Sequence, residues 1–152
     1  MNLSLKKNQR NYKNETTTRT KIGIVGSRAY TNKKKIKDLI FDIKQKLGDK
    51  AEIVSGGQQD GADGYAKKYA LEFGLKYVEF PPSHYSWNMH CIRPIGEYNK
   101  PYYVSNYFKR NKQIAEYSDI IVAFIQPGVE SRGTQDTIRH AKKKKKLIKI
   151  IS

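Results

Sequence analysis

Cysteine occurs once, at Cys91, so the chain makes no internal disulfide and fits a reducing cytoplasm. No apolar run approaches the length that crosses a bilayer, and no apolar signal core follows the basic start. These absences predict a soluble, cytoplasmic protein with no membrane partner. Two common nucleotide fingerprints are missing as well: there is no Gly-Lys-Ser/Thr of a Walker motif and no G-x-G-x-x-G. His84, His90 and Cys91 are close in sequence, but no second Cys/His cluster completes a tetrahedral zinc site. No metal or other cofactor is therefore expected.

Acidic residues are scarce. Asp and Glu number 14 against 30 Lys and Arg, and the resulting net charge of +16 attracts polyanions, whether nucleic acid or smaller nucleotides. Lys6, Lys7, Arg10, Lys13 and Arg19 crowd the first twenty residues, and "KKK" at Lys33–Lys35 and "KKKKK" at Lys142–Lys146 add two further runs. Solvated faces explain such runs equally well, and the second falls at a predicted helix C-terminus, where cations are favoured anyway.

What is present organises into one domain. Residues 1–20 carry few large apolar groups and read as a flexible basic tail. Order is predicted from "KIGIVGS" onward, a short apolar run that ends at Gly26 and reads as a buried strand. Ile36, Leu39, Ile40, Ile43 and Leu47 then recur at helical spacing and stop at Gly48. "AEIVS" is a second strand. Ala62, Ala66, Tyr69, Ala70 and Phe73 line a second helix closed by Gly74, and "KYVEF" is a third strand. Residues 83–105 are aromatic and irregular, and their prolines and Gly96 argue against a continuous helix. A helix over about 106–117, the strand "DIIVAFI", the loop "QPGVESRGT", a helix over about 134–143 and the strand "LIKII" complete the chain.

Strands that are continuous apolar runs and alternate with helices call for a parallel sheet covered on both faces, a three-layer α/β/α domain. A doubly wound order 3-2-1-4-5 brings the ends of strands one and four together, and the crevice at that switch point is the default ligand site. Three loops can converge there. Gly26, Ser27 and Arg28 follow strand one, and Arg28 can hold a phosphate or carboxylate bidentately. "SGGQQDGAD" follows strand two; its glycines expose amides, and Asp60 can cap the next helix or accept ribose hydroxyls. Gly133 and Thr134 of "SRGT" open the last helix, whose free N–H groups suit an anion.

"IGIVGSR", "VSGGQQDGAD", Trp87, the pair Arg110-Asn111, "SDIIVAF" and "SRGT" occur in an order that resembles the SLOG superfamily, the Rossmann-like group containing the LOG enzymes and DprA/Smf. The likeness covers about residues 21–151 and is nearest to the small YspA-type members. It implies a Rossmann-like five-stranded parallel sheet and a nucleotide-type ligand. Position by position, it implies binding roles for Gly26, Ser27 and Arg28, for Ser55, Gly56 and Gly57 with Asp60 and Asp63, for Arg110 and Asn111, and for Arg132, Gly133 and Thr134 at the phosphate. The same resemblance implies a homo-oligomer. LOG enzymes carry Pro-Gly-Gly-x-Gly-Thr-x-x-Glu at the last loop, with the glutamate taking part in N-glycosidic cleavage. Here "ESRGTQDT" sets Thr137 at that position, and the adjacent Asp136 is rotated about a quarter turn around the helix. Residues 92–105 are a second departure, and Tyr98, Tyr102, Tyr103 and Tyr107 fit either a base-stacking lid or an aromatic anchor for a long loop.

Three functions follow as expectations. The first is a module that binds a nucleotide or a nucleotide-derived ligand, such as an ADP-ribose or cyclic derivative, as a sensor or a sequestering protein. The second is a phosphoribohydrolase-type N-glycosidase using Asp60, Asp63 or Asp136. The third is DprA-like nucleic-acid binding, with non-specific contacts through the basic tail.

Overall fold

The computed structural model describes residues 18–152. The predicted basic tail therefore lies outside the described residues except at its end, where strand β1 (Thr20–Gly26) already begins. The remaining elements are α1 (Lys33–Leu47), β2 (Ala51–Ser55), α2 (Gly61–Glu72), β3 (Lys76–Glu79), α3 (Ser105–Tyr117), β4 (Ile120–Phe124), α4 (Arg132–Lys143) and β5 (Leu147–Ile151). All five strands are parallel, in the order β3-β2-β1-β4-β5.

Period-two alternation sorts the core into two halves. Ile22 and Ile24 of β1 and Ile53 of β2 point to the side covered by α1 and α2, where they meet Ile36, Ile40, Ala66 and Ala70. Val25 and Val54 point the other way, to Ile114, Ala115, Ile138 and Ala141 of α3 and α4. Each half removes a continuous apolar surface from water, and the one acid inside β2, the buried Glu52, is satisfied by the Tyr117 hydroxyl.

The helix ends obey local chemistry. Asn32 accepts a hydrogen bond from the Lys35 amide at the start of α1, and Ser131 accepts one from Thr134 at the start of α4. Gly74, at φ +71°, ends α2 and lets the Leu75 amide reach the Ala70 carbonyl.

Residues 80–104 are irregular but anchored. Glu79 donates its amide to the His90 carbonyl at 2.9 Å and accepts from the Ile92 amide at 3.3 Å, while Asn99 and Lys100 donate to Tyr85 and Ser83. The Glu79 carboxylate, fully buried at the end of β3, accepts from the Tyr77 hydroxyl at 2.6 Å and from the Asn88 amide, and faces Lys67 Nζ at 3.5 Å. A buried charge with this many partners pins the long segment to the sheet.

Candidate functional site

Strands β1 and β4 pair side by side up to Gly26 and Phe124, and the chain leaves their ends toward opposite faces. The crevice that this divergence opens holds a cavity of about 260 Å³. All three predicted loops contribute to its lining, and α3 supplies a fourth wall.

In the first loop Gly26 and Arg28 line the cavity and Ser27 does not. A Cβ at Gly26 would lie 2.6 Å from the Phe124 carbonyl oxygen and 2.7 Å from the Ala62 methyl, so this glycine serves close packing of α2 on the sheet. Ser27 is buried; its hydroxyl accepts from the Ala29 amide at 3.0 Å, and its carbonyl accepts from Tyr30 and from Ala62 at 3.1 and 3.3 Å. Arg28 is exposed and lines the cavity, with its guanidinium carbon 5.8 Å from the Tyr107 ring centroid.

The glycine pair of the second loop makes room for the protein's own side chains. A Cβ at Gly56 would run into Arg110 Nη1 and lie 2.7 Å from Asp63 Oδ2. Arg110 Nη1 donates to the Gly56 carbonyl at 2.5 Å. Gly57 takes φ +78°, and a Cβ there would face the Glu79 carboxylate at 3.2 Å. Ser55 shares a 2.6 Å hydrogen bond with the Tyr77 hydroxyl and is fully buried. None of these three residues lines the cavity. Asp60 is exposed, makes no side-chain cap and stands off the cavity as well.

Asp63, in the first turn of α2, does line it. Its Oδ2 accepts from the Gln58 amide at 3.3 Å. Burial pushes its carboxyl up from 3.8 to about 6, against the pull of the Arg110 charge and of the Gln58 and Gly56 amides, while the Glu79 charge adds to the rise. The burial of Arg110 correspondingly weighs against its own charge, with Asp63 as the main compensating group.

Arg110 and Asn111 are joined: Arg110 Nε donates to Asn111 Oδ1 at 3.0 Å, and Asn111 Nδ2 faces Asp136 Oδ2 at 3.4 Å. Asp136 is buried outside the cavity lining, paired with Arg139 and 3.6 Å from His140 Nε2. A polar chain thus runs from the second loop through α3 to α4 and fixes the direction of the Arg110 guanidinium.

The third loop opens α4 toward the cavity. Ser131 Oγ is 2.7 Å from Thr134 Oγ1, and all of Ser131, Gly133 and Thr134 line the space. The atom nearest to a Cβ at Gly133 is Asn111 Nδ2, 3.7 Å away, so this glycine stands in open space. Amides in the first turn have no intrahelical acceptor, which leaves the Arg132 and Gly133 N–H groups for an anion. The Arg132 side chain is exposed and does not contribute. Thr137 also lines the space, with its hydroxyl donated to the Gly133 carbonyl at 3.0 Å.

Two further lining residues, Val104 and Phe108, carried no signal in the sequence, and they continue a face begun by residues that did. Val104, Phe108 and Asn111 form with Tyr107 an i, i+3, i+4, i+7 stripe along α3, and Gln58 faces the cavity with its Oε1 accepting from the Tyr85 hydroxyl at 3.2 Å. The four tyrosines singled out by sequence divide: Tyr98 is buried as an anchor, Tyr107 borders the cavity, and Tyr102 and Tyr103 are exposed. His84 packs edge-on against Tyr85, Tyr102 and Tyr107, and His90 against Tyr77. Among the described residues no three His, Cys, Asp or Glu side chains group to hold a metal, and no helix is long and apolar enough to cross a membrane.

Fold and crevice together define a Rossmann-like α/β domain with its cavity at the switch point of a 3-2-1-4-5 sheet. No protein-family model matches the chain, and no curated protein sequence matches it. Solved structures do. The molybdenum cofactor carrier protein of Chlamydomonas reinhardtii is similar with a TM-score of 0.63 and 21% identity, over 87% of this chain and 76% of that one. The molybdenum cofactor binding protein of the phototrophic bacterium Rippkaea orientalis gives 0.64 and 19%, over the same shares. At these identities the likeness establishes the fold.

Proposed function

We propose that the crevice binds a nucleotide or nucleotide-derived molecule through its phosphate, and that the protein acts as a sensor or a sequestering module. One observation carries this reading: Arg28, Arg110 and the open start of α4 at Gly133 border the same cavity. Two guanidiniums and a helix N-terminus favour an anion. The volume of about 260 Å³ sits near the lower end of small-molecule sites, which run from roughly 300 Å³ upward, and suits a single phosphoribosyl unit with its base. Hydrogen-bond acceptors around the cavity are mostly engaged within the protein, Asp63 by Gln58 and Asn111 by Arg110, which favours an acceptor-rich ligand. Solved neighbours that carry or bind a molybdenum cofactor support a small-ligand role for this fold. Membership of the SLOG superfamily, near its YspA-type members, is part of the same proposal.

Thermal unfolding with a panel of nucleoside monophosphates, ADP-ribose and cyclic nucleotides tests it. A ligand at a hundredfold excess over its Kd adds about 2.7 kcal/mol, a rise of roughly 5–10 °C for a domain of this size. No rise with any of them, or a rise that survives Arg28→Ala combined with Gly133→Asp, refutes the reading.

Asp63 favours a second reading, N-glycoside hydrolysis. Of the three candidate carboxylates it alone borders the cavity, and a carboxyl pushed up to about 6 is poised to exchange a proton near neutrality. Chromatography of incubated nucleoside monophosphates decides: free base above background that disappears in Asp63→Asn supports an enzyme, and equal background in both excludes it.

A further inference from the structure

The lining of the cavity is of two characters. One is polar: Arg28, Arg110, Gln58 and the start of α4. The other is apolar and formed by the beginning of α3, where Val104 is 61% exposed and Phe108 44% exposed although both line the cavity. Isolated exposed apolar residues need no explanation, but these two belong to one helical stripe that continues inward through Tyr107 to Asn111. Tyr107 itself is flanked by both cavity arginines, each guanidinium carbon 5.8 Å from its ring centroid. Its outer side packs on His84, 5.0 Å between centroids, which braces the ring against rotation. An aromatic held rigid beside two cations, continuing into uncovered apolar surface, is built to take a flat ring whose other end is anionic.

We infer that Val104, Tyr107 and Phe108 seat the planar heterocycle of the ligand, while its phosphate lies against Gly133 at the start of α4. The inference rests on the phosphate-binding reading and deepens it. It makes the ligand a nucleoside phosphate with an unhindered ring face, and it makes selection depend on stacking, so that purines are preferred over pyrimidines for their larger face. Stacking of a base on an aromatic side chain is worth about ten- to a hundredfold in affinity.

Calorimetric titration separates the two readings. The probes are the four ribonucleoside 5′-monophosphates, ribose 5-phosphate and inorganic phosphate, against wild type and the double variant Val104→Ser/Phe108→Ala. Val104 is mostly exposed and Phe108 nearly half exposed, so the variant is expected to fold with a melting temperature within about 4 °C of wild type. Expected for wild type is at least tenfold tighter binding of a purine nucleotide than of ribose 5-phosphate. In the variant that advantage falls to under threefold while the ribose 5-phosphate affinity stays within twofold. Sugar phosphate and nucleotides binding equally to wild type, a variant that keeps the advantage, or one that weakens both probes alike overturns the ring seat and leaves the phosphate reading standing. No binding of any probe to wild type overturns both.

Discussion

Replacing Asp63 by Asn should stabilise the protein, and only above a definite pH. The carboxyl is held at about 6 in the fold against 3.8 as a model group, mainly by burial. Below about pH 4 it is protonated whether the chain is folded or not. Between about 4 and 6 the unfolded chain releases the proton and the folded one keeps it, so the folded state binds more protons and stability falls as pH rises. The contribution present below pH 4 is therefore lost on passing through about 6. The displacement corresponds to roughly 3 kcal/mol. The amide is isosteric, still accepts from the Gln58 N–H, and no longer titrates. Denaturant unfolding of wild type and variant from pH 4 to 8 should show a stability difference that grows by about 2.5 kcal/mol over that range, with its midpoint near 5 and the variant the more stable at pH 8. A difference that stays constant, or that favours wild type at pH 8, would mean that the attraction of Arg110 outweighs the cost of burial. A buried ionisable group that lowers stability is a common feature of binding and catalytic sites.

Gly56→Ala drives a methyl into Arg110 and Asp63, and it should cost about 1–3 kcal/mol in unfolding experiments and abolish nucleotide-induced stabilisation. A Cβ at Gly133 meets no side chain closer than 3.7 Å, and Gly133→Glu places an anion at a helix N-terminus, so the melting temperature should hold or rise while ligand binding weakens more than tenfold. Ser131→Ala removes the α4 cap and should cost about 0.5–2 kcal/mol in the same unfolding assay. Deleting residues 1–17 removes Lys6, Lys7, Arg10 and Lys13, and it should lower the log–log salt slope of duplex-DNA binding by up to about 4; an unchanged slope would assign that binding to the folded domain.

Much of the fold was legible because each strand is a short, largely apolar run and glycines mark the ends of the first two helices. Gly48 and Gly74 mark boundaries that the backbone then takes, whereas the last helix, expected from about 134, begins two residues earlier at Arg132 behind the Ser131 cap. The convergence of three loops followed from the strand order. Within the loops, chemistry alone did not say what each group faces. Gly56 and Gly57 looked equally suited to a ligand, yet they accommodate Arg110 and the approach to Glu79, contacts made across more than fifty and twenty residues of sequence respectively. Asp60 and Asp63 are three residues apart, and only the start of α2 at Gly61 decides that the second of them turns inward. Arg110 and Asn111 were reached through the family resemblance, since two polar residues inside a helix carry no positional signal. The stripe containing Val104 and Phe108 was hidden because Val104 lies at the end of the irregular segment, outside any helical window. Glu79 gave no sign of burial, as an acid at the end of a strand ordinarily reaches solvent.

The meeting of Gly61 with the first loop constrains how the crevice can move. A side chain at Gly61 would collide with the Ser27 carbonyl and stand 2.6 Å from the Arg28 Cα, and the neighbouring Ala62 amide is bonded to that same carbonyl. Arg28 and Asp63 therefore ride on one rigid block, and neither backbone can shift without the other. Adaptation to guests of different breadth then falls to the opposite bank, where α3 meets the long segment before it, and hydrogen exchange there should slow most when the site fills.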